Sequence, residues 1–370
     1  MKKQNVDVAA FIWPAYTGTE PRTKIFWPDG EGEWQTIRQA NAKFEGHQWP
    51  RTPLLGYQDE ADPKVMEQQI ELARSHGVNV FIYDWYWFDD RPFLEQCLND
   101  GFLKAKNTND MKFYLMWANH DANYVWDKRN AGDRTVVWNG TVTREIYHKI
   151  ALRWMENYFG LENYYRIDGK PVFAIYELPN FIAGMGGIEQ AAEEMRWLDA
   201  EAAARGLGGV HFQLIHRGSK AKCNVSGVDG ETNLSYDALI TELPFSSITH
   251  YQYVHFTNID RSYPDVMEDV RAEWERLSNV TDVSYWPHVS LGWDNNPRHI
   301  ALRPLILRDN TPENVEVALR DAKAEALRTG APMVTINSWN EWTEGSYLLP
   351  DSLYGYGYLE AVKKVFLDEQ

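Results

Sequence analysis

A chain of 370 residues, 44% hydrophobic and 24% charged, can bury a large core, which excludes global disorder. Its 53 acidic against 37 basic residues give a formal charge of -16, so the surface as a whole repels nucleic acid, anionic membranes and polyanionic substrates; a neutral ligand fits better. Cys97 and Cys223 form neither a disulfide framework nor metal-ligand spacing, which leaves the redox compartment open.

The basic start Met1-Lys2-Lys3-Gln4 runs into Asn5 and Asp7 rather than an apolar stretch. No signal peptide or membrane span is therefore expected in the chain as written, and the compartment is periplasmic or extracellular if a leader has been removed, cytoplasmic otherwise. A first apolar, β-prone run covers residues 8–13. The segment 17–59 that follows is far longer than an ordinary strand-to-helix loop and carries Trp27, Trp34, His47 and Trp49; it reads as an active-site wall or a structural lid. Asp62-Pro63 reads as an N-cap with proline at the first helical position, with Met66, Ile70 and Ala73 on one face and Gly77 as the stop. Strand-like runs recur at 78–84, 113–119, 172–177, 209–216, 288–294 and 333–341, and a blurred one lies at either 238–241 or 247–250. Amphipathic helices are expected at 143–158, 187–205 and 264–277, and after Thr311-Pro312, where Gly330 is the stop. Neither a fixed repeat nor a linker interrupts the chain, so residues 1–370 read as one domain. Alternating strands and helices predict a (β/α)8 barrel with long loops at its C-terminal face. A doubly wound open sheet competes, but no glycine-rich phosphate loop follows the first strand.

Barrels of this kind gather their chemistry at the C-terminal strand ends. Those ends carry Trp13 and Tyr16, then Asp84 and Trp85, then Trp117, Asn119 and His120. Glu177, His216 and Tyr251 follow at the next three, and Trp293 and Asp294 at the seventh. The eighth brings Asn337, Trp339, Asn340, Glu341, Trp342 and Glu344. Singly, His120 or His216 fits a structural histidine, and Asp84 or Asp294 a loop cap. Together they form a polar, aromatic cup suited to binding a carbohydrate, because rings stack on the apolar faces of sugars. Glu341 and Glu344 are the candidate catalytic pair, since two carboxyl groups are the minimum for acid/base work on a sugar acetal. Three residues apart on a straight strand they would face opposite ways, so the chain must turn after about Asn340. His120-Asp121 and Asp294-Asn295 are a rival cation site, but no HExxH motif is present and no metal or other cofactor is expected. A GxSxG elbow is also missing.

The run Asn340-Glu341-Trp342-Thr343-Glu344-Gly345, after Thr335-Ile336-Asn337, resembles the NEWxEG signature of glycoside hydrolase family 99 and of WbsX-like proteins, often labelled glycosyltransferases of polysaccharide gene clusters. Gly46-His47-Gln48-Trp49-Pro50, Phe81-Ile82-Tyr83-Asp84-Trp85-Tyr86, residues 347–350 and Tyr354-Gly355-Tyr356-Gly357-Tyr358-Leu359-Glu360-Ala361 resemble the WbsX branch, so the likeness spans most of the chain. It implies a (β/α)8 barrel and retaining cleavage of α-mannosidic bonds, in which the substrate's own 2-hydroxyl attacks the anomeric carbon to give a 1,2-anhydro sugar. Carried over, Glu341 is the base towards that hydroxyl and Glu344 the general acid/base. The implied substrate is an α-linked, manno- or rhamno-configured oligo- or polysaccharide, with the 2-hydroxyl trans to the leaving group. Thr343 stands where family 99 usually has histidine. The alternatives are a glycosyltransferase, for which the sequence lacks a basic diphosphate cradle, and a non-catalytic glycan-binding barrel, against which the two glutamates argue. The particular glycan, endo or exo action and the oligomeric state are not legible.

Overall fold

The apolar runs become eight strands: β1 Asp7–Ile12, β2 Val80–Phe88, β3 Lys112–Trp117, β4 Lys170–Ile175, β5 His211–Ile215, β6 Ser247–Thr249, β7 His288–Ser290 and β8 Met333–Asn337. The structure is a computed structural model that describes residues 6–218, 222–227 and 230–369; Met1 to Gln4 and the Cys223 side chain lie outside what is described. Strands β1 to β6 pair in parallel with their neighbours in chain order, and β8 returns to β1 with Ala9 opposite Thr335. Ser284–Tyr285, just ahead of β7, pairs with β6, while β7 itself pairs with β8. Between the two halves Trp286 N donates to Ile248 O and Thr335 N donates to Pro287 O. Proline has no N–H to lose at this handover, which closes the ring into a (β/α)8 barrel.

The helices are α1 Pro63–Ser75, α2 Arg144–Trp154, α3 Leu178–Met185, α4 Ile188–Ala204, α5 Tyr236–Glu242, α6 Tyr263–Val280, α7 Pro312–Thr329 and α8 Gly357–Lys363. The expected caps form, the side chains of Asp62 and Thr311 accepting from the N–H groups of Lys64 and Asn314, and Thr143 caps α2 in the same way by accepting from Ile146 N. The blurred sixth strand lies at 247–249. Residues 238–241 are helical instead, because Ser235 caps that segment by accepting from Ala238 N while Leu239 and Ile240 are buried. Helix α3 and the antiparallel hairpin Lys222–Gly227/Gly230–Ser235 carry no strong sequence period and were not anticipated.

Alternation along the strands divides the side chains into two populations. Tyr114 Oη donates to Gln213 Oε1 at 2.9 Å, and Thr249 and Thr335 hydroxyls meet at 2.7 Å. These pairs skip a strand, so they cross the barrel interior. Residues of the opposite parity face the helices, as when Trp85 and Trp117 pack on Trp154 of α2 with ring centroids 5.3 and 5.4 Å away. Both faces are covered, and all nine residues of β2 are buried. Among the described residues, no helix is long and apolar enough to cross a membrane.

Candidate functional site

The turn that the two glutamates need is present. Beyond β8, Asn340–Glu341 pairs antiparallel with Ser346–Tyr347, and a tight turn over Trp342–Glu344 joins them. Gly345 closes it at φ 65°, facing Asp294. Asn340 pins the turn to the end of β1: its Oδ1 accepts from Trp13 N at 2.8 Å, and its Nδ2 donates to Trp13 O at 2.9 Å and Glu60 Oε2 at 2.8 Å. Ser338 Oγ accepts from Glu341 N at 2.6 Å and donates to Ser346 O at 2.8 Å.

One guanidinium joins the carboxylates. Arg298 Nη2 lies 2.9 Å from Glu341 Oε1, Nη1 lies 2.7 Å from Glu344 Oε1, and Nε lies 2.9 Å from Glu33 Oε1. Trp13 Nε1 donates to the other Glu33 oxygen at 2.5 Å. Tyr251 Oη sits between two further carboxyl oxygens, 3.0 Å from Asp84 Oδ2 and 2.9 Å from Glu341 Oε2. A phenol has one proton to donate, so the second of these contacts requires a protonated carboxyl group. Burial supplies the reason: it pushes Asp84 and Glu341 well above the usual carboxylate range and raises Glu344, with Arg298 opposing the shift on both glutamates. Four acids face a single cation, and the surplus is relieved by holding protons. Asp84 has no ion-pair partner among the described residues, so the geometry favours it as the protonated member. Glu344 is the most open of the set, its side chain 14% exposed against 4% for Glu341.

Of the strand-end residues, the structure brings Trp13, Tyr16, Asp84, Tyr251, Asn340, Glu341 and Glu344 into one cluster, with Tyr16 Oη accepting from Trp342 N at 3.1 Å. Asn337 stands at the end of β8, where its Oδ1 accepts from Gln252 Nε2 at 3.0 Å. His120 lies edge-on to Tyr86 and Tyr176, and burial lowers its pKa to about 4, so its ring is neutral. Asn119 and Glu177 tie the ends of β3 and β4 together, with Asn119 Oδ1 accepting from Glu177 N at 2.8 Å, while the Glu177 carboxylate pairs with Arg217. Asp294 is saturated: Oδ2 accepts from His47 Nε2 and Trp49 Nε1, both at 2.7 Å, and Oδ1 from Asn296 Nδ2 at 2.7 Å. It organises the first and seventh loops, and no oxygen is left over for the cation considered above. Trp293 borders a cavity of about 230 Å³ between those loops.

Five expected residues turn away from the mouth altogether. Trp85 and Trp117 have the wrong parity and lie under α2, where Trp85 Nε1 donates to Glu95 Oε1 at 2.7 Å. Trp339 packs on Phe81 and donates to Gln69 Oε1 at 2.8 Å. Trp342 stacks on Tyr347 at 3.9 Å within the core. His216 also has the outward parity and bonds Asp237 Oδ1 at 2.9 Å. Each is a packing or bracing residue: Trp85, Trp117 and His216 because a strand that presents one side chain to the mouth must send the next towards a helix, and Trp339 and Trp342 because the chain beyond β8 turns them into the core.

The family model described as glycosyltransferase WbsX matches residues 8–362. The chain belongs to the WbsX family. The protein WxcX of Xanthomonas campestris pv. campestris, described as uncharacterized, is 28% identical over 373 residues in each of two strains, covering 96% of this chain and 49% of its own length. The chain thus spans about half the length of the curated relatives it matches. Among solved structures, the family 99 endo-α-mannosidase of Bacteroides thetaiotaomicron aligns over 99% of this chain and 98% of its own at TM-score 0.60 and 15% identity. A glycoside hydrolase-like protein aligns over 99% and 95% at TM-score 0.64 and 15% identity. At such identities the likeness is one of fold.

In this WbsX-family chain the residue at the centre of the cluster, Arg298, was not among those expected, nor was Glu33. Arg298 follows an Asn295-Asn296-Pro297 turn in the seventh loop, and Glu33 precedes a short helix, Trp34–Arg38, in the long first loop. The available signal was the length of that first loop. Which acid it would bring to which arginine depends on tertiary packing.

Proposed function

We propose that this chain is a retaining glycoside hydrolase acting on an α-linked, manno- or rhamno-configured glycan through Glu341 and Glu344. The observation that carries the reading is the acid cluster itself: two carboxyl groups bridged by one guanidinium, one enclosed against Tyr251 and the other more open. Glu344, the more open of the two and raised by burial, is placed to give a proton to the departing glycosidic oxygen. Glu341, held by Arg298 and receiving the Tyr251 proton while Asp84 keeps its own, remains the base for the sugar's 2-hydroxyl. Removal of that proton lets O2 attack the anomeric carbon as the glycosidic bond breaks, giving the 1,2-anhydro sugar. Glu344, now ionised, takes a proton from water, whose oxygen opens the anhydro ring at the anomeric carbon, and Glu341 returns its proton to O2. Two inversions give net retention. Tyr176, partly exposed beside His120, supplies a ring for the face of a sugar, backed by the buried rings of Trp13, Tyr86 and Trp126. The endo-α-mannosidase among the proteins of like fold offers a precedent for this reaction class.

A second reading, glycosyl transfer, is favoured by the description of the family model. One experiment separates the two: incubation with a panel of α-mannans, α-rhamnans and their oligosaccharides, and in parallel with nucleotide-sugar donors, following product anomers by NMR and nucleotide release. Hydrolysis predicts new reducing ends that appear first as the α-anomer. Nucleotide release without new reducing ends would replace hydrolysis by transfer.

A further inference from the structure

A second polar cluster lies on the outward side of β5 and β6, where the parity of the strands turns side chains away from the mouth. His216 follows β5, His250 follows β6, and both are fully buried against α6. We propose that His216 Nδ1, His250 Nε2 and Glu273 Oε1 bind a divalent transition-metal ion of the zinc class. Glu273 Oε1 lies 4.0 Å from His216 Nδ1 and 3.8 Å from His250 Nε2, and the three atoms lie within 4.8 Å of one another. Tetrahedral ligands at about 2.0–2.1 Å from zinc stand roughly 3.4 Å apart, so the two pairs with Glu273 need to contract by about half an ångström and the two imidazoles by up to about 1.4 Å.

The hydrogen bonds of His216 place its lone pair on Nδ1, and His250 presents one on Nε2 when its Nδ1 donates to Tyr285. Gly218 N donates to His216 Nδ1 at 3.0 Å, so the proton of that ring sits on Nε2 and goes to Asp237 Oδ1 at 2.9 Å. This is the carboxylate–histidine arrangement that orients metal-bound imidazoles, and the metal displaces a single main-chain contact. His250 Nδ1 meets Tyr285 Oη at 2.9 Å, which leaves Nε2 directed at Glu273. That nitrogen is buried with no hydrogen-bond partner, and 3.8 Å is too long for a bond to the carboxylate. An orphaned imidazole nitrogen in a sealed polar cluster is the feature that a cation explains.

Charge agrees. Arg276 holds Asp237 Oδ2 at 2.7 Å and Glu273 Oε2 at 2.7 Å. Two carboxylates against one guanidinium leave a single negative charge. A dication is therefore drawn in, and it would share Glu273 Oε1 with Arg276 Nη2, which donates to that oxygen at 2.9 Å. The ion would fasten the ends of β5 and β6 to α6 at the root of the fifth loop, a structural role independent of the catalytic reading above.

The test uses the full-length untagged protein stripped of metal. Calorimetric titration with Zn²⁺ is expected to show one equivalent bound, and Co²⁺ to give the visible absorption of a tetrahedral site. His250→Ala and Glu273→Gln should lose that equivalent while keeping the wild-type circular dichroism, and Asp237→Asn should weaken it by about 10- to 100-fold. Glu273 lies on the partly exposed side of the helix, so its variant serves if His250→Ala does not fold. Wild-type protein that binds no Zn²⁺, or variants that bind as much as wild type, would overturn the proposal.

Discussion

The barrel contains two arginine-centred clusters built from similar parts, one at its mouth and one on its flank, and they are poised for opposite chemistry. At the mouth Arg298 faces Glu33, Glu341 and Glu344, with Asp84 beyond Tyr251; there burial outweighs the single positive charge and pushes the carboxyl groups of Asp84, Glu341 and Glu344 upwards. On the flank Arg276 faces only Asp237 and Glu273, and the hydrogen bond from His216, aided by Arg276, holds Asp237 down at about 2. The first cluster stores protons. The second holds the Asp237 carboxyl down, an arrangement suited to a metal ion. The ratio of acids to guanidinium and the depth of burial decide which chemistry results, more than the kinds of residue present.

Removing each hub in turn breaks the comparison most strongly. Arg298→Met leaves three buried carboxylates without a counter-charge and is expected to cost about 3–5 kcal/mol in urea unfolding. Arg276 is more exposed, so Arg276→Met should cost clearly less. Equal losses would mean that burial does not distinguish the clusters.

Glu60, which receives Asn340 behind the motif, sharpens the proton-storing half. Burial raises its pKa to about 8, against the opposing hydrogen bonds from Asn340, Gln69 and Cys97. The folded state then binds more protons than the unfolded chain between the ordinary glutamate value and pH 8, so stability falls as pH rises through that window and levels off above it. The wild type should lose up to about 1.4 kcal/mol per pH unit relative to Glu60→Gln. Thermal melts of both proteins from pH 5 to 9 check this, and parallel curves would refute it. The smallest effect belongs to Tyr251→Phe, which removes the hydroxyl bridging Asp84 and Glu341, two hydrogen bonds worth about 1 kcal/mol each. It should lower kcat several-fold and move the acidic limb of the pH–rate profile, because Asp84 and Glu341 then lose their common partner.

Much of the fold was legible because local rules and tertiary structure agreed. Asp62-Pro63 and Thr311-Pro312 cap helices where capping chemistry requires it, and the apolar runs become strands because both of their faces are covered. The glutamate pair was legible for a similar reason: a motif that must turn does turn. Asp84 and Trp85 illustrate the limit. They are adjacent in sequence, and one faces Tyr251 in the barrel while the other packs under α2. Both were read as mouth residues because the end of a strand can be seen in a sequence more easily than its phase. Arg298, Glu33 and the triad of His216, His250 and Glu273 were hidden more deeply. Their partners come from different loops and helices, and no spacing rule connects them.

The most direct measurement of the roles assigned to the motif is single-turnover kinetics of Glu341→Gln and Glu344→Gln on two α-glycosides of the hydrolysed sugar. One would carry an ordinary alkyl leaving group and one a nitrophenyl group that departs without acid assistance. Glu344→Gln should lose about 10²–10⁴-fold on the alkyl glycoside and recover most of its bond cleavage on the nitrophenyl one. Glu341→Gln should fail on both, since the attacking O2 keeps its proton. Full activity of Glu344→Gln on the alkyl glycoside, or equal rescue of both variants by the activated substrate, would contradict the division of labour between Glu341 and Glu344.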